Sequence, residues 1–352
     1  MAERGETSGT DTPGEARRFA REILPAVSRT FALSIRMLPG HLGDAVLAAY
    51  LLCRIADTVE DDPILPADHK ARLLDRLAAC FEAPDTAAAF ASEASILTGD
   101  EAHLRLVSRS ALVFSLYQSL PAGTQRHMRK WVSEMIVGMR KFVLLYPHGI
   151  RIQTLDEYKE YCYYVAGTVG YMLTDLWHEH APSIDDALYS ALRERSRAFA
   201  EALQTVNILK DVAVDAEKEN SIYVPQQLLQ QHGSSHDALL SPALARETRE
   251  AMASLVELAW ADLEQARIYL LAIPRRAYPI RLFCVLPLLF AYATLRDFTR
   301  LAASPADRKV VKITRAEVKS LTLLGMMGIM SNRALDRLIR RSAKKKLVLR
   351  GV

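Results

Sequence analysis

Apolar residues recur at three- and four-residue steps through nearly all of this 352-residue chain. That period belongs to the α-helix, whose faces repeat every 3.6 residues. The pattern runs from about Ala16 to Leu38, His41 to Glu60, Ala67 to Phe81, Ala102 to Leu120 and Pro121 to Leu145. It continues over Leu155 to Trp177, Ile184 to Asp215, Pro242 to Ala272, Arg276 to Leu301 and Arg315 to Arg340. Strict alternation is sustained nowhere, so no sheet is predicted. Breakers fall between the stretches, among them Pro39-Gly40, Pro63, Pro84, Pro147-His148-Gly149, Pro182, Pro225 and Pro274. Thr154, followed by Asp156 and Glu157, suits the first turn of a helix. Connections are short and no shift of composition marks a linker. The expectation is one all-α domain of roughly ten helices over residues 15–345, a disordered polar tail at 1–14 and a basic tail at 346–352. No solenoid-type repeat is present.

Half of the residues are hydrophobic, enough for a sizeable core, and the net charge of +4 is mild. Basic residues are dispersed, which argues against a nucleic-acid partner. The exception is the run from Arg333 to Arg350, with Arg337, Arg340, Arg341, Lys344, Lys345 and Lys346. Such a run reads as a solvated helix end, or as a patch drawn to an anionic membrane. Cys53, Cys80, Cys162 and Cys284 are far apart among apolar neighbours, so reduced, buried thiols are expected. The N-terminus lacks the charged-then-apolar order of a signal peptide. The longest uncharged apolar run, Leu282–Leu295, is 14 residues with Pro287 inside, too short to span a bilayer. These features predict a cytoplasmic chain, a monomer by default, whose membrane contact is at most peripheral and at the inner surface.

Two acidic stripes carry the chemistry. Asp57, Glu60 and Asp61 are spaced i, i+3, i+4 and share one helix face. Like charges so placed repel, and they lie near a helix C-terminus, where the dipole disfavours anions. A hard cation removes both penalties; the alternative is a solvated acidic end before Pro63. Asn207, Asp211 and Asp215 are spaced i, i+4, i+8, so each step advances the stripe by only ~40°. They sit among Leu203, Val206, Ile208, Leu209, Val212 and Val214, and buried polar groups need partners. A second metal-binding wall would supply them; an amphipathic helix with its wet side out is the other reading. Together the stripes suggest a cavity in which Mg²⁺, or Mn²⁺ in its place, bridges a diphosphate to both walls. A bundle core could house a hydrocarbon tail.

Tyr50, Arg54, Asp57 and Asp61 follow one another on one face. Arg54 is either an ion-pair partner of Asp57 or a diphosphate contact. Ser28-Arg29-Thr30-Phe31 opens a short helix and makes a reasonable anion seat. Four tyrosines stand between Tyr158 and Tyr164, followed by Gly167 and Gly170, which permit a kink or close backbone approach. The tyrosines are a core patch or, at the kink, a proton-handling group.

These motifs, in this order, resemble the squalene/phytoene synthase family of head-to-head trans-prenyltransferases, over about Val27 to Met327. The motifs are Ser28-Arg-Thr-Phe31, Tyr50-Leu-Leu-Cys-Arg54, Asp57-Thr-Val-Glu-Asp61, Tyr161-Cys-Tyr-Tyr-Val-Ala-Gly-Thr-Val-Gly170 and Asn207-Ile-Leu-Lys-Asp211-Val-Ala-Val-Asp215. The resemblance implies an isoprenoid-synthase bundle with a central cavity. It implies Asp57, Glu60, Asp61, Asn207, Asp211 and Asp215 as Mg²⁺ ligands. Ser28, Arg29, Phe31, Tyr50, Arg54 and Lys210 would contact the prenyl diphosphate, and Tyr164 would be the catalytic tyrosine. Phe283-Cys-Val-Leu-Pro287 is similar to a squalene synthase helix, where Phe283 would stabilise cations through its π face. Val311-Lys-Ile-Thr-Arg315 is similar to a basic stretch near the NADPH site, which implies Lys312 and Arg315 as its phosphate contacts.

The chain departs from the family at two points. Lys210 stands where Arg is common, and Ser221 or Asn220 stands where an Arg shortly before Pro225 is usual. The C-terminal anchor of the eukaryotic enzymes is not expected. The implied reaction joins two farnesyl diphosphates to presqualene diphosphate and reduces it with NADPH to squalene. A reductant-free relative would instead make dehydrosqualene, phytoene, hydroxysqualene or presqualene diphosphate. A non-catalytic binder would not need six metal ligands, and a terpene cyclase would lack the Tyr-x-x-Tyr-Val-Ala-Gly segment.

Overall fold

The computed structural model describes residues 13–28, 31–301, 306 and 311–349. Sixteen α-helices stand among them, and the residues form no strand beyond a lone parallel bridge between Arg151 and Ile222. In chain order they are α1 (Pro13–Val27), α2 (Phe31–Arg36), α3 (Gly40–Glu60), α4 (Ala67–Ala79), α5 (Ala87–Glu93), α6 (Glu101–Ser108), α7 (Ser110–Gln118) and α8 (Ala122–Leu145). Then come α9 (Leu155–Cys162), α10 (Thr168–His180), α11 (Asp186–Lys218), α12 (Gln226–Gln231), α13 (Ala245–Ala272), α14 (Tyr278–Leu301), α15 (Arg315–Gly328) and α16 (Asn332–Ser342).

The expected ten helices become sixteen because several periodic stretches break where the apolar face turns. Ala102–Leu120 divides at Arg109 into α6 and α7, and Arg315–Arg340 divides at a turn capped by Ser331. Short α5 and α12 were invisible to periodicity, since one or two turns carry too few repeats to count. The tail expected at 1–14 mostly lies outside the described residues, and the helix opens at Pro13. Residues 346–349 are pinned: the Leu347 and Leu349 amides donate to Glu317 Oε1 and Ser320 Oγ at 3.0 and 2.9 Å.

Three helices position the site. In α3 nearly every residue from Leu42 to Glu60 is buried. Its end is fixed by Asp62, whose carboxylate accepts from the amides of Ile64, Leu65 and Thr98 at 2.9, 2.7 and 2.6 Å. α11 opens on an Asp185 cap and is 33 residues long, about 50 Å at 1.5 Å per residue. Helix α14 with the turn before it, Arg275–Leu301, is long and apolar enough to cross a membrane, but 78% of its most apolar window is buried in the bundle. It is a core helix here. All four cysteines are buried and unpaired.

Between α9 and α10 the helix widens into a π-helical turn, Tyr163–Gly167. Single π turns mark functional segments in many helices because the extra residue re-aims the side chains around it. Both glycines foreseen as permissive are used. Gly167 closes the π turn, and Gly170 lies so near α11 that a Cβ there would overlap the Ser196 carbonyl oxygen. The obstacle is backbone and cannot rotate away. Gly170→Ala should therefore separate α10 from α11 and lower the unfolding free energy by about 1–3 kcal/mol. Urea unfolding of the two proteins measures this; equal midpoints would mean that the helices are not in contact there.

Candidate functional site

Between α3, α10, α11 and α14 lies a cavity with an empty volume of about 1140 Å³, its open mouth included. Its mouth carries Tyr50, Arg54, Asp57, Gln204 and Asn207. Its depth is walled by Val46, Met135, Val169, Leu173, Trp177, Phe199, Leu203, Phe283 and Pro287. An aromatic file runs along it. Phe31 packs on Tyr50 at 5.9 Å and on Phe283 at 6.4 Å between ring centroids, and Phe283 meets Trp177 at 5.3 Å. The cavity thus grades from charged to apolar along one wall of α3.

The acids of α3 and α11 approach one another on this side of the bundle: Asp57 and Asn207 line the cavity, and Glu60, Asp61 and Glu219 line a second, smaller pocket with Lys70. Burial raises the carboxyl of Asp61 well above its usual range, and the charges of Glu219 and Asp57 raise it further. Burial and the charges of Asp61 and Asp57 do the same to Glu60. Asp215 is pushed up to about 8, by burial first and then by Glu219, Asp211 and Asp61. Asp57 is raised by burial and held back by Arg54, whose Nη1 lies 3.4 Å from its Oδ2. Carboxylates of α11 therefore feel those of α3, as facing walls require. Asp62 is the exception in its run. Four hydrogen bonds to 64, 65 and 98 hold its carboxyl below the usual value, and it serves as a cap.

The arrangement leaves polar atoms open. Glu60 Oε1 and Arg54 Nε are buried without a hydrogen-bond partner. An unpartnered carboxylate oxygen amid other carboxylates fits a cation, and an unpartnered guanidinium N–H on the same helix fits an anion. Among the described residues, no three acidic or His/Cys side chains are close enough to form a ready metal cage. That is compatible with Mg²⁺, which keeps several waters and binds through one or two carboxylates plus substrate phosphates.

The other expected residues divide. Tyr50 donates to the Val27 carbonyl at 3.1 Å, Arg54 reaches the Tyr50 hydroxyl at 3.4 Å, and Ser28 Oγ accepts the Phe31 amide at 3.1 Å, capping α2. Arg29 lies outside the described residues. Lys210 pairs with its neighbour Asp211. Tyr164 does not line the cavity as its neighbours Val165 and Ala166 do. Its ring fills the space beside Gly138 of α8, where a Cβ would collide with it. Tyr158 and Tyr161 belong to the core: Tyr158 donates to Thr205 Oγ1 at 3.0 Å and Tyr161 stacks on Tyr223 at 4.9 Å. Lys312 and Arg315 are exposed and line no part of the cavity, and the chain between them and α14, 302–305 and 307–310, falls outside the described residues.

Three residues near the acids had not been foreseen. Glu219 extends the stripe by one more four-residue step, a signal that was readable. Lys70 of α4 donates to the Glu60 carbonyl at 2.7 Å and faces Asp61 and Glu219; nothing in the sequence joins α4 to that wall. His103 of α6 lies within electrostatic reach of Arg54 and Asp57, again without a sequence signal. Where the family's Arg is missing, Asn220 adopts a φ of +50° and its amide donates to the His148 carbonyl at 2.6 Å, while Arg151 Nη2 donates to its Oδ1 at 2.6 Å. This clasp, with the Ile222 amide on the Ile150 carbonyl at 2.8 Å, fixes the end of α11.

Comparison with known proteins agrees with this architecture. Squalene synthase of Schizosaccharomyces pombe is 28% identical over 280 residues, 79% of this chain and 58% of that one. Squalene synthase of Nicotiana benthamiana is 29% identical over 279 residues, 79% of this chain and 63% of that one. The chain thus spans about three fifths of the length of these curated relatives. Among solved structures, a complex of TcSQS with the ligand BPH1237 aligns with a TM-score of 0.76 at 23% identity, over 94% of this chain and 98% of that one. A dehydrosqualene synthase complex aligns at 0.64 and 21%, over 91% and 98%. Squalene synthase HpnC of Alicyclobacillus acidocaldarius aligns at 0.59 and 22%, over 84% and 98%. These likenesses show the fold. The family profile for squalene/phytoene synthase matches residues 24–317, and the chain belongs to that family of prenyltransferase-type enzymes.

Proposed function

We propose that this chain condenses two farnesyl diphosphates head to head to presqualene diphosphate and reduces that product with NADPH to squalene. The observation that carries the first step is the meeting of two acidic helix faces at the mouth of an apolar cavity, with Glu60 Oε1 and Arg54 Nε left unpartnered. Asp57, Glu60 and Asp61 on α3 and Asn207, Asp211 and Asp215 on α11 would hold the Mg²⁺ ions. Bound there, the ions would supply neutralisation of the diphosphate leaving group. Arg54, whose guanidinium is already aligned by Tyr50 and Asp57, would take a diphosphate oxygen. The prenyl chain would lie along Phe31, Phe283 and Trp177, whose rings exclude water and face a developing carbocation. Tyr164 would handle the proton of the condensation from the π turn, held against Gly138.

The relatives named squalene synthase support the reductive step. Lys312 and Arg315, the residues proposed for its nucleotide phosphate, are exposed and do not line the cavity. The second reading is a reductant-free product such as dehydrosqualene. Purified protein incubated with farnesyl diphosphate and Mg²⁺, with and without NADPH, decides between them. Squalene that appears only with NADPH is expected; a hydrocarbon indifferent to NADPH would replace the first reading with the second.

Asp57→Ala and Asp211→Ala should each lower turnover by about 10²-fold or more, as loss of a leading electrostatic contributor does. Circular dichroism should be unchanged. Full activity in either variant would remove that residue from the site.

The acid cluster also has a stability signature. Asp215 is raised from 3.8 to about 8 in the folded, metal-free chain. The unfolded chain gives up this proton first as pH rises. Its contribution is therefore fully present below the lower value and is lost as pH climbs through the upper one. Under EDTA the melting temperature should fall across that window, and Asp215→Asn should flatten the fall. Added Mg²⁺ should raise it more at the top of the window than at the bottom. Calorimetry under both conditions checks this, and a Mg²⁺ effect that shrinks with rising pH would exclude these carboxylates as ligands.

A further inference from the structure

Residues 312–346 hold ten Lys and Arg against two acids, Glu317 and Asp336. All ten basic side chains are exposed. With the whole chain at +4, this segment at +8 leaves −4 for the rest. On α16, Arg333, Arg337, Arg340, Arg341 and, two residues past its end, Lys344 fall at i, i+4, i+7, i+8 and i+11, one stripe opposite the buried Leu335, Leu338 and Ile339.

The neighbouring helix presents a different stripe. Leu323, Met326 and Met327 of α15 and Met330 in the turn after it are 41, 45, 75 and 54% exposed. They lie on one face at i, i+3, i+4 and i+7, with Lys319 four residues before them. Four large apolar side chains rarely share an exposed face without a partner. Met330 and Arg333 are three residues apart, where the apolar and basic stripes meet.

We propose that the α15–α16 corner lays this chain on an anionic bilayer, with Leu323, Met326, Met327 and Met330 entering the headgroup boundary and the α16 stripe on the lipid phosphates. An apolar face rimmed by Lys and Arg is the composition of an interfacial helix, and a cluster of this size is strongly drawn to acidic lipid. A second copy is disfavoured because two such patches would bring their like charges together. A nucleic acid would use the cations but leave the methionines without a role. The inference rests on exposure and charge and not on the proposed chemistry. Its setting suits that chemistry, because the buried side of α15 meets Val285, Leu286 and Leu289 of α14 through Gly325, and Phe283 and Pro287 of α14 line the cavity.

Co-sedimentation of the full chain with vesicles tests it. Vesicles of equimolar phosphatidylglycerol and phosphatidylcholine should bind the protein, vesicles of phosphatidylcholine alone should not, and salt should weaken the binding. Converting Met326, Met327 and Met330 together to Ser should weaken binding about tenfold. Arg333→Glu with Arg337→Glu and Arg341→Glu should abolish it. All six side chains are exposed, so thermal midpoints should stay within a few degrees. No preference for phosphatidylglycerol would overturn the proposal. So would unchanged binding by the serine variant, which would make the patch a polyanion site, or a change of molar mass in light scattering, which would make it a contact between copies.

Discussion

Carboxylate repulsion at the mouth of an apolar cavity is the interaction on which the rest of this structure depends. Glu60 and Asp61 at the end of α3 and Asp215 and Glu219 at the end of α11 are each raised first by burial and then by neighbouring carboxylates, while Asp57 is raised by burial and held back by Arg54. Left to themselves, the two helix ends would separate and hydrate. They are held by features that have nothing to do with charge: the nearly total burial of α3, the Asp62 cap behind it, and the backbone clasp of 150–152 on 220–222. Local strain of this kind persists only where the surroundings over-determine it, and it gathers at functional sites.

The same geometry explains the division of labour along the cavity. Charge is confined to one turn at the end of α3 and two turns near the end of α11, while the walls deeper in are apolar and aromatic. A diphosphate and a hydrocarbon chain make opposite demands on solvent. A shaft with an ionic rim and a dry interior meets both. Two cations stand near the rim: Lys70 donates to the Glu60 carbonyl within electrostatic reach of Asp61 and Glu219, and Arg54 pairs with Asp57. The tyrosine-rich segment is divided as sharply. Tyr158 and Tyr161 are committed to core hydrogen bonding and stacking, whereas in the π turn Tyr163 donates to Glu134 and Tyr164 packs beside Gly138.

Much of the site was legible because it is written in helical spacing. The i, i+4, i+8 stripe of Asn207, Asp211 and Asp215 needs no tertiary knowledge, and one more step reaches Glu219. The Gly167–Gly170 pair announced close approach, and the backbone of Ser196 stands where a side chain would be. Lys70, His103 and Gly138 were not legible. Each acts across a gap between elements far apart in sequence, and no periodicity relates α4, α6 or α8 to the acids and tyrosine they serve. Helix number was also underread, since α5 and α12 are too short to show a period.

The sequence by itself determined the class of fold, the register of both acidic stripes and the family, because these follow from spacing along one chain at 100° per residue. Only the tertiary structure decided that Asp62 is a cap while its neighbours face the mouth, that Tyr164 rests on Gly138, and that Lys312 and Arg315 stand clear of the cavity. Those outcomes depend on which helix faces which. That choice is made by packing many weak apolar contacts at once, and no local pattern encodes it.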